Sequence, residues 1–503
     1  MTSNLDEQGA GTASAQADFV AVSPKESPPP RILQLDVLKG LAVLGGLAVS
    51  VWIFGGFSAN QQTQLLIHPS GGNYRLFATV SLLLEGKMMA LICLVFGAGM
   101  LMYKSRQQLA NIAKAHDYMV RRLMWLIAFG ILNAIVFLWP NDLLFQLGVA
   151  GILLIPFLHL SPRKLVVAAT IFSLVFFGKQ YWNYSDDKKT LHKYEAVMLV
   201  EKKIKQDSIS VAKKDSVAKT NKTVAAPTIS KDTTGEKVKI DTLTRDQKKD
   251  KETWEGMLKD MKYDSAKDAG KIKAMRNTSY GELWNHLLPI SQSREAQWTY
   301  KIGVWAIPMM MLLGMALFKL GFFTNRFSSR QYLLIAATGI AIGLLSGWYR
   351  LYFNNATLLD YTKYIKGHFL PFDFFIPLER SAMAIGYAGL VMFLTRSAKP
   401  GWCWRALADT GRLSLTNYLA QSIICTLFFT GFGMNYYSHL NQWQLYLFVA
   451  EIWLVQGVFS VFWLRYFRQG PAEWLWHCLV ELKWLPIKKQ DLSLQTAETA
   501  VPS

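Results

Sequence analysis

The sequence predicts an all-α protein, a polytopic transmembrane bundle of about ten helices with both termini in the cytoplasm. Three observations lead there. Of the 503 residues, 51% are hydrophobic, with 17 Trp and 29 Phe among them. The apolar residues fall in long blocks rather than amphipathic stripes, and about 18 such residues with few charges are what a helix needs to cross a roughly 30 Å hydrocarbon core. Backbone groups find no water there, so only helices or closed barrels cross it, and these blocks lack the two-residue alternation of a barrel strand.

Residues 1–30, rich in Ala, Ser, Gly and Pro and ending in Pro28-Pro29-Pro30, read as a disordered tail with no cleavable signal peptide. The crossings then fall at about 33–57, 76–103, 119–139, 142–160 and 164–182, forming an N-terminal membrane half over 31–182. A second half over 298–480 holds those at about 299–323, 331–353, 376–396, 404–432 and 443–467, and 481–503 is a disordered tail. Orientation follows from Lys and Arg in short loops. Arg31, Lys39, Lys104, Arg106, Lys114, Arg121, Arg122, Arg163, Lys164, Arg326, Arg330, Arg396, Lys399, Arg405, Arg465 and Arg468 all belong to one set of alternate ends, while the loops near 58–74, 139–142 and 432–442 are almost free of them. That places both termini inside, and an even helix count agrees.

Between the halves, 183–297 is a polar, Lys-rich insert facing outward, exempt by its length from the charge rule. Its centre, about 206–245, has no apolar period and reads as disordered. Its flanks read as helical, from the spacing of Tyr194, Val197, Val200 and Ile204 and of Trp254, Leu258 and Met261. Ser279 followed by Glu282 resembles a capping box opening a short interfacial helix, Gly281 to Leu288.

The formal net charge of +19 is not a nucleic-acid signature, because no basic stripe is interleaved with stacking aromatics; anionic lipid headgroups are the simpler partner. Cys93, Cys403, Cys425 and Cys478 form no CxxC or CxxH motif and read as packing residues, so no metal set is expected.

Ionisable residues inside apolar blocks are functional candidates by default. Glu85-Gly86-Lys87 interrupts the second block. On one ideal helix the two charges would point to nearly opposite faces, so they need other partners or a break at Gly86. Asp36 and Lys39 share a helical face at the cytoplasmic entrance, either as a plain i,i+3 pair or as part of a basic mouth for an anionic cofactor. Asp142, after Pro140-Asn141, is placed to cap the fourth helix. Asn417, Gln421, Glu451 and Gln456 suit interhelical hydrogen bonds. Of eight histidines, His68 stands out, in an outward loop just before the second helix and with a side chain suited to proton transfer near neutral pH.

Several of these residues sit in segments that resemble YeiB-like bacterial membrane proteins with a C-terminal domain of unknown function. Arg31-Ile-Leu-Gln-Leu-Asp36-Val-Leu-Lys39-Gly40 is similar to that family's opening, with Lys39 in place of Arg. Glu85-Gly86-Lys87, Leu94-Val-Phe96-Gly97-Ala-Gly99, Arg121-Arg122-Leu123, Gly130, Asp142-Leu143-Leu144 and Leu313-Gly314-Met315 resemble its later motifs, with Asn133 where the family has His. Gly411-Arg412-Leu-Ser414-Leu-Thr416-Asn417-Tyr418-Leu-Ala-Gln421 and Gly470-Pro471-Ala-Glu473-Trp474 resemble its C-terminal domain. The likeness spans about 31–182 and 280–480 and implies the bacterial inner membrane.

The opening motif is also distantly similar to multi-pass acyltransferases of the heparan-glucosaminide N-acetyltransferase kind. That resemblance implies cytosolic acyl-CoA as co-substrate and a cell-envelope sugar or lipid as acceptor. Arg31, Asp36, Lys39, Arg121, Arg122 and Arg412 would hold the coenzyme; His68 would be the base, with Glu85 or Asp142 orienting it. Two other readings stay open. One is a solute transporter with Glu85, Lys87, Asp142 and Glu451 along its path. The other is a non-catalytic scaffold or sensor that uses the insert.

Overall fold

A computed structural model describes residues 31–57, 62, 65–66, 69–109, 115–221, 243–261, 264–276, 278–397 and 401–489. The expected disordered tails (1–30 and most of 481–503) and most of the insert's centre lie outside those residues.

The fold is an all-α bundle. Its helices are α1 (Leu33–Phe54), α2 (Gly71–Leu83), α3 (Lys87–Leu109), α4 (Ala115–Ile135), α5 (Leu144–Leu154), α6 (Pro162–Asn221), α7 (Arg245–Met261), α8 (Ser265–Arg276) and α9 (Tyr280–Ser293). They continue with α10 (Val304–Lys319), α11 (Ser329–Leu359), α12 (Tyr361–Gly367), α13 (Ile376–Ser397), α14 (Trp402–Arg412), α15 (Ser414–Phe429), α16 (Gln442–Tyr466) and α17 (Pro471–Glu481).

All ten expected crossings are helical, but among the described residues seven helical segments are long and apolar enough to cross a membrane. The other three fall short for different reasons. α5 with its 3₁₀ extension to His159 reaches only about 25 Å. α13 is diluted by Glu379 and Arg380 near its start. The ninth crossing is broken between α14 and α15 at Leu413. The outer faces are apolar, as a lipid-facing surface must be: Leu345 and Leu454 are each 69% exposed.

The insert differs from the sequence expectation. α6 runs without interruption from Pro162 to Asn221, so the expected domain boundary at 182 lies inside a helix, and 206–221 is helical rather than irregular. After Gly178 this stretch holds neither Gly nor Pro to stop it, and α7 packs alongside, with Tyr194 against the fully buried Trp254 and Lys251 Nζ 2.6 Å from Glu201 Oε2. The capping box at Ser279 and Glu282 is present, but the helix it opens is no separate interfacial piece. It continues through a π-helical stretch, Arg294–Gly303, into α10 as one long element.

The helices around the bundle centre cross closely because small residues lie at the contacts. A Cβ on Gly97 of α3 would meet the backbone of Met311 in α10, and one on Gly314 would meet the backbone of Leu94 in return. Gly40 of α1 and Gly411 of α14 are likewise pressed against backbone, of Leu407 and Asp36 respectively. These glycines fall within the motifs that carry the family resemblance. Gly314→Ala is expected to cost at least about 2 kcal/mol, because backbone rather than a movable side chain must yield. Gly178→Ala, with open space around it, is expected to be neutral or slightly stabilising. Thermal unfolding of the two variants in detergent checks the contrast.

Candidate functional site

Two polar centres occupy the membrane-spanning region, and many of the sequence candidates fall in one or the other.

The first is a network of charges built on a helix break, with Lys87 and Glu379 buried and Glu85 and Arg350 partly so. α2 ends at Leu83, Gly86 takes a left-handed φ of +71°, and α3 starts at Lys87. The break resolves the problem posed by Glu85-Gly86-Lys87, since each charge can now find its own partner. Lys87 is fully buried; its ammonium pairs with Glu379 of α13 and donates to the Ser81 carbonyl at 2.7 Å. Glu379, 1% exposed, also takes two hydrogen bonds from Arg350 of α11, at 2.9 and 3.3 Å. Arg350 reaches Glu85 at 3.4 Å, and Glu85 accepts from the Ser81 hydroxyl. Glu85 is therefore tied into an ion network and lies in a different cluster from Asp142, so the two do not form one catalytic set.

The second centre is a cavity of about 530 Å³. Arg31, Asp36, Lys39, Arg122 and Arg412 line it, which gathers five of the six residues expected to bind a coenzyme. Arg106, Arg468 and His477 join them at the same end. Arg31 and Lys39 both pair with Asp36, at 2.7 and 3.3 Å, so the i,i+3 pair and the basic mouth are the same structure. The Arg122 guanidinium lies between Trp476 and Tyr103, 3.9 and 4.8 Å from their ring centres. Arg121 is the correction: it stays outside the cavity, over Tyr118 and bonded to the Val480 carbonyl at 3.3 Å, because its neighbour Arg122 takes the inward face of α4.

Behind the charged mouth the walls turn apolar, with Ile92, Val95 and Phe96 on α3 and Leu126 on α4. The deep end is closed by Leu143 and Tyr418. There α5 begins part-way through the bundle, and its first turn is capped by Asp142, which accepts from the Phe145 amide at 2.9 Å. Asn133 donates to the other Asp142 oxygen at 2.8 Å, and the Tyr418 hydroxyl lies 3.3 Å from it. One turn on, Gln146 is buried with neither amide atom hydrogen-bonded.

Helix α17 forms part of the mouth and anchors α15. Glu473 accepts from the amides of Leu415 and Thr416 at 2.6 and 3.2 Å and from the Thr416 hydroxyl at 2.5 Å, joining the two C-terminal motifs. His477 sits beside it; burial, then the nearby Arg122 charge, holds its pKa below the ordinary 6.5, so at neutral pH it adds no positive charge to the mouth.

The remaining candidates are placed as follows. Asn417 donates to the Thr410 carbonyl and the Ser460 hydroxyl, both at 3.1 Å, and Gln421 donates to Gln456 at 2.9 Å, so these bind α15 to α16. Glu451 does not join them: it is exposed, because the inward face of α16 runs through Val449, Ile452 and Gln456. His68 lies outside the described residues. Sequence reading missed Arg350 and Glu379, although the rule that flagged Glu85, a charge inside an apolar block, applies to both. It also missed Tyr418, Arg468, Glu473 and His477, whose importance depends on where the chain folds back.

A polytopic helical protein with a basic-mouthed, apolar-walled cavity is the class these features define. The matches to known proteins agree with it. Residues 317–483 match the family model "Protein of unknown function (DUF418)". The chain is 37% identical to the uncharacterized protein YeiB of Escherichia coli (strain K12) over 181 residues, 35% of this chain and 44% of that one. It is 38% identical to the uncharacterized protein YxaH of Bacillus subtilis (strain 168) over 104 residues, 21% of this chain and 26% of that one. The matched stretches thus span less than half the length of these relatives. No solved structure matches. Over these stretches the chain is thus similar to YeiB-like proteins and, within 317–483, to a DUF418 domain.

Glu379→Gln is expected to cost about 3–5 kcal/mol, since it leaves Lys87 and Arg350 buried with a weakened counter-charge. Lys87→Met is expected to cost clearly less, because Glu379 keeps Arg350. Equal losses in thermal unfolding would show that the network does not share its charge in this way.

Proposed function

We propose that this protein is a membrane acyltransferase of the bacterial inner membrane. It would take an acyl group from cytosolic acyl-coenzyme A and pass it to an extracytoplasmic hydroxyl or amine on a cell-envelope sugar or lipid. The observation that carries this reading is the cavity: cations at one end and an apolar shaft behind them suit a ligand with phosphates at one end and a thin thioester arm at the other. With both termini inside, as the short-loop charges imply, that mouth faces the cytosol.

In this reading Arg31, Lys39, Arg122 and Arg412 bind the coenzyme phosphates by charge-assisted hydrogen bonds. The thioester reaches the deep end beside Tyr418 and Asp142. The acceptor's proton passes to His68, the acceptor oxygen or nitrogen bonds to the acyl carbon, and the carbon–sulfur bond breaks. The thiolate leaves toward the mouth and takes up a proton. Asp142, fixed by Asn133 and the Phe145 amide, positions the deep end.

A solute path is the second reading. It is favoured by Gln146 and by Asn133 Oδ1, buried polar groups without hydrogen-bond partners one step beyond the cavity. Solute flux in proteoliposomes that disappears with Asp142→Asn would select it.

Titrating acetyl-coenzyme A into the detergent-purified protein is expected to raise its melting temperature saturably, by the equivalent of about 2.7 kcal/mol at a hundred times Kd. Arg412→Ala and Lys39→Ala should weaken binding about tenfold each. No shift at millimolar ligand would rule the reading out. A bound phosphate favours the charged imidazole, so wild-type affinity should gain over that of His477→Gln as pH falls below 6.5. At pH 8 the two should bind alike.

A further inference from the structure

On the outer surface of the bundle, between α14 and α16, lies a second concavity of about 780 Å³ that the acyl-transfer reading does not use. Its apolar part is a strip along α16 from Trp453 through Leu454, Gly457 and Val458 to Phe462. Leu454, Val458 and Phe462 are 69%, 62% and 57% exposed. α16 is one of the helices long and apolar enough to span a bilayer, so this strip meets lipid. From Trp453 to Arg465 the helix rises about 18 Å, the reach of most of a fatty acyl chain.

At the end of the strip the lining changes to Arg405, Arg412, Arg465 and Lys489, with Asp409 the only acid among the lining residues. Asp409 pairs with Arg412 at 3.2 Å, and Lys489 donates to the carbonyl of Leu464 at 2.6 Å, which fixes these cations at the mouth of the groove. Trp402, 79% exposed, stands at the same end, where an indole suits the headgroup level. Among the lining residues the cations outnumber the acid, which suits a headgroup of net negative charge.

We propose that this groove is a specific site for one anionic phospholipid, with its phosphate among Arg405, Arg412 and Arg465 and an acyl chain along α16. Basic pockets between membrane helices recognise such headgroups through charge, while the apolar strip supplies the length that separates a lipid from a free phosphate. Arg412 lines both this groove and the cavity, so it forms the wall between them. Arg405 and Arg465 line only the groove, which lets this site be tested apart from coenzyme binding.

The test is native mass spectrometry of the full-length protein in detergent, titrated with phosphatidylglycerol or with phosphatidylcholine of the same chains. Phosphatidylglycerol is expected to bind at least about tenfold more tightly, with a preference that shrinks as salt is raised. Arg405→Ala with Arg465→Ala should bring the two lipids within about threefold of one another, while Arg330→Ala leaves the preference unchanged. Equal binding of the two lipids by the wild type, a preference indifferent to salt, or one that survives the double substitution overturns the proposal. Should the double variant not fold, Arg465→Gln alone must still reduce the preference.

Discussion

The carboxylate of Glu379 takes charge from both Lys87 and Arg350, and the packing of α3, α11 and α13 is organised around that fact. Away from water, an ammonium and a guanidinium are each costly to bury, and sharing a counter-charge makes both tolerable. The arrangement demands that the second crossing break, because a continuous helix would send Glu85 and Lys87 to opposite faces. Gly86 supplies the break, Ser81 supplies its carbonyl and hydroxyl, and α2, α3, α11 and α13 are brought together by four charged side chains. Unlike an apolar contact, such a network fixes rotation as well as distance between helices.

None of those four charged side chains lines the cavity. α5 begins part-way through the bundle, and its capped first turn forms the inner end of the cavity. Gly97 and Gly314 let α3 and α10 meet backbone to backbone, so α3 serves as a wall on one side and a close-packed partner on the other. The mouth is assembled from both halves of the chain: Arg31, Lys39 and Arg122 come from the N-terminal half, Arg412, Arg468 and His477 from the stretch that matches the DUF418 model. Neither half holds the site alone.

A cavity inside the bundle and a groove outside it therefore meet at Arg412, which lines both. Their chemistry is parallel, cations leading to an apolar channel, but their surroundings differ. The cavity is enclosed by helices; the groove is open to lipid.

Element type was legible in the sequence wherever apolar blocks were long, because the bilayer forces helices onto them regardless of partner. The helix break at Gly86, the capping role of Asp142 and the capping box at Ser279 were legible too, since each is a local rule about backbone and neighbouring charge. The length of α6 was not: the helical flank was read as a separate piece, whereas the lack of Gly and Pro after Gly178 and the packing against α7 make it one helix with the fifth crossing. Arg31, Lys39 and Arg122 could be grouped because they lie at the same ends of alternate helices, and Arg412 joined them through the resemblance, yet Arg121, next to Arg122, shows the limit. One residue of phase on a helix separates the cavity from its outside, and phase is set by which helix lies opposite. The sequence by itself determined the helices, their alternation and the basic end of the bundle, because these depend on hydrophobicity and charge along the chain. Only the tertiary structure decided which charges share Glu379, where the cavity ends and which arginines face it, because those depend on contacts between segments hundreds of residues apart.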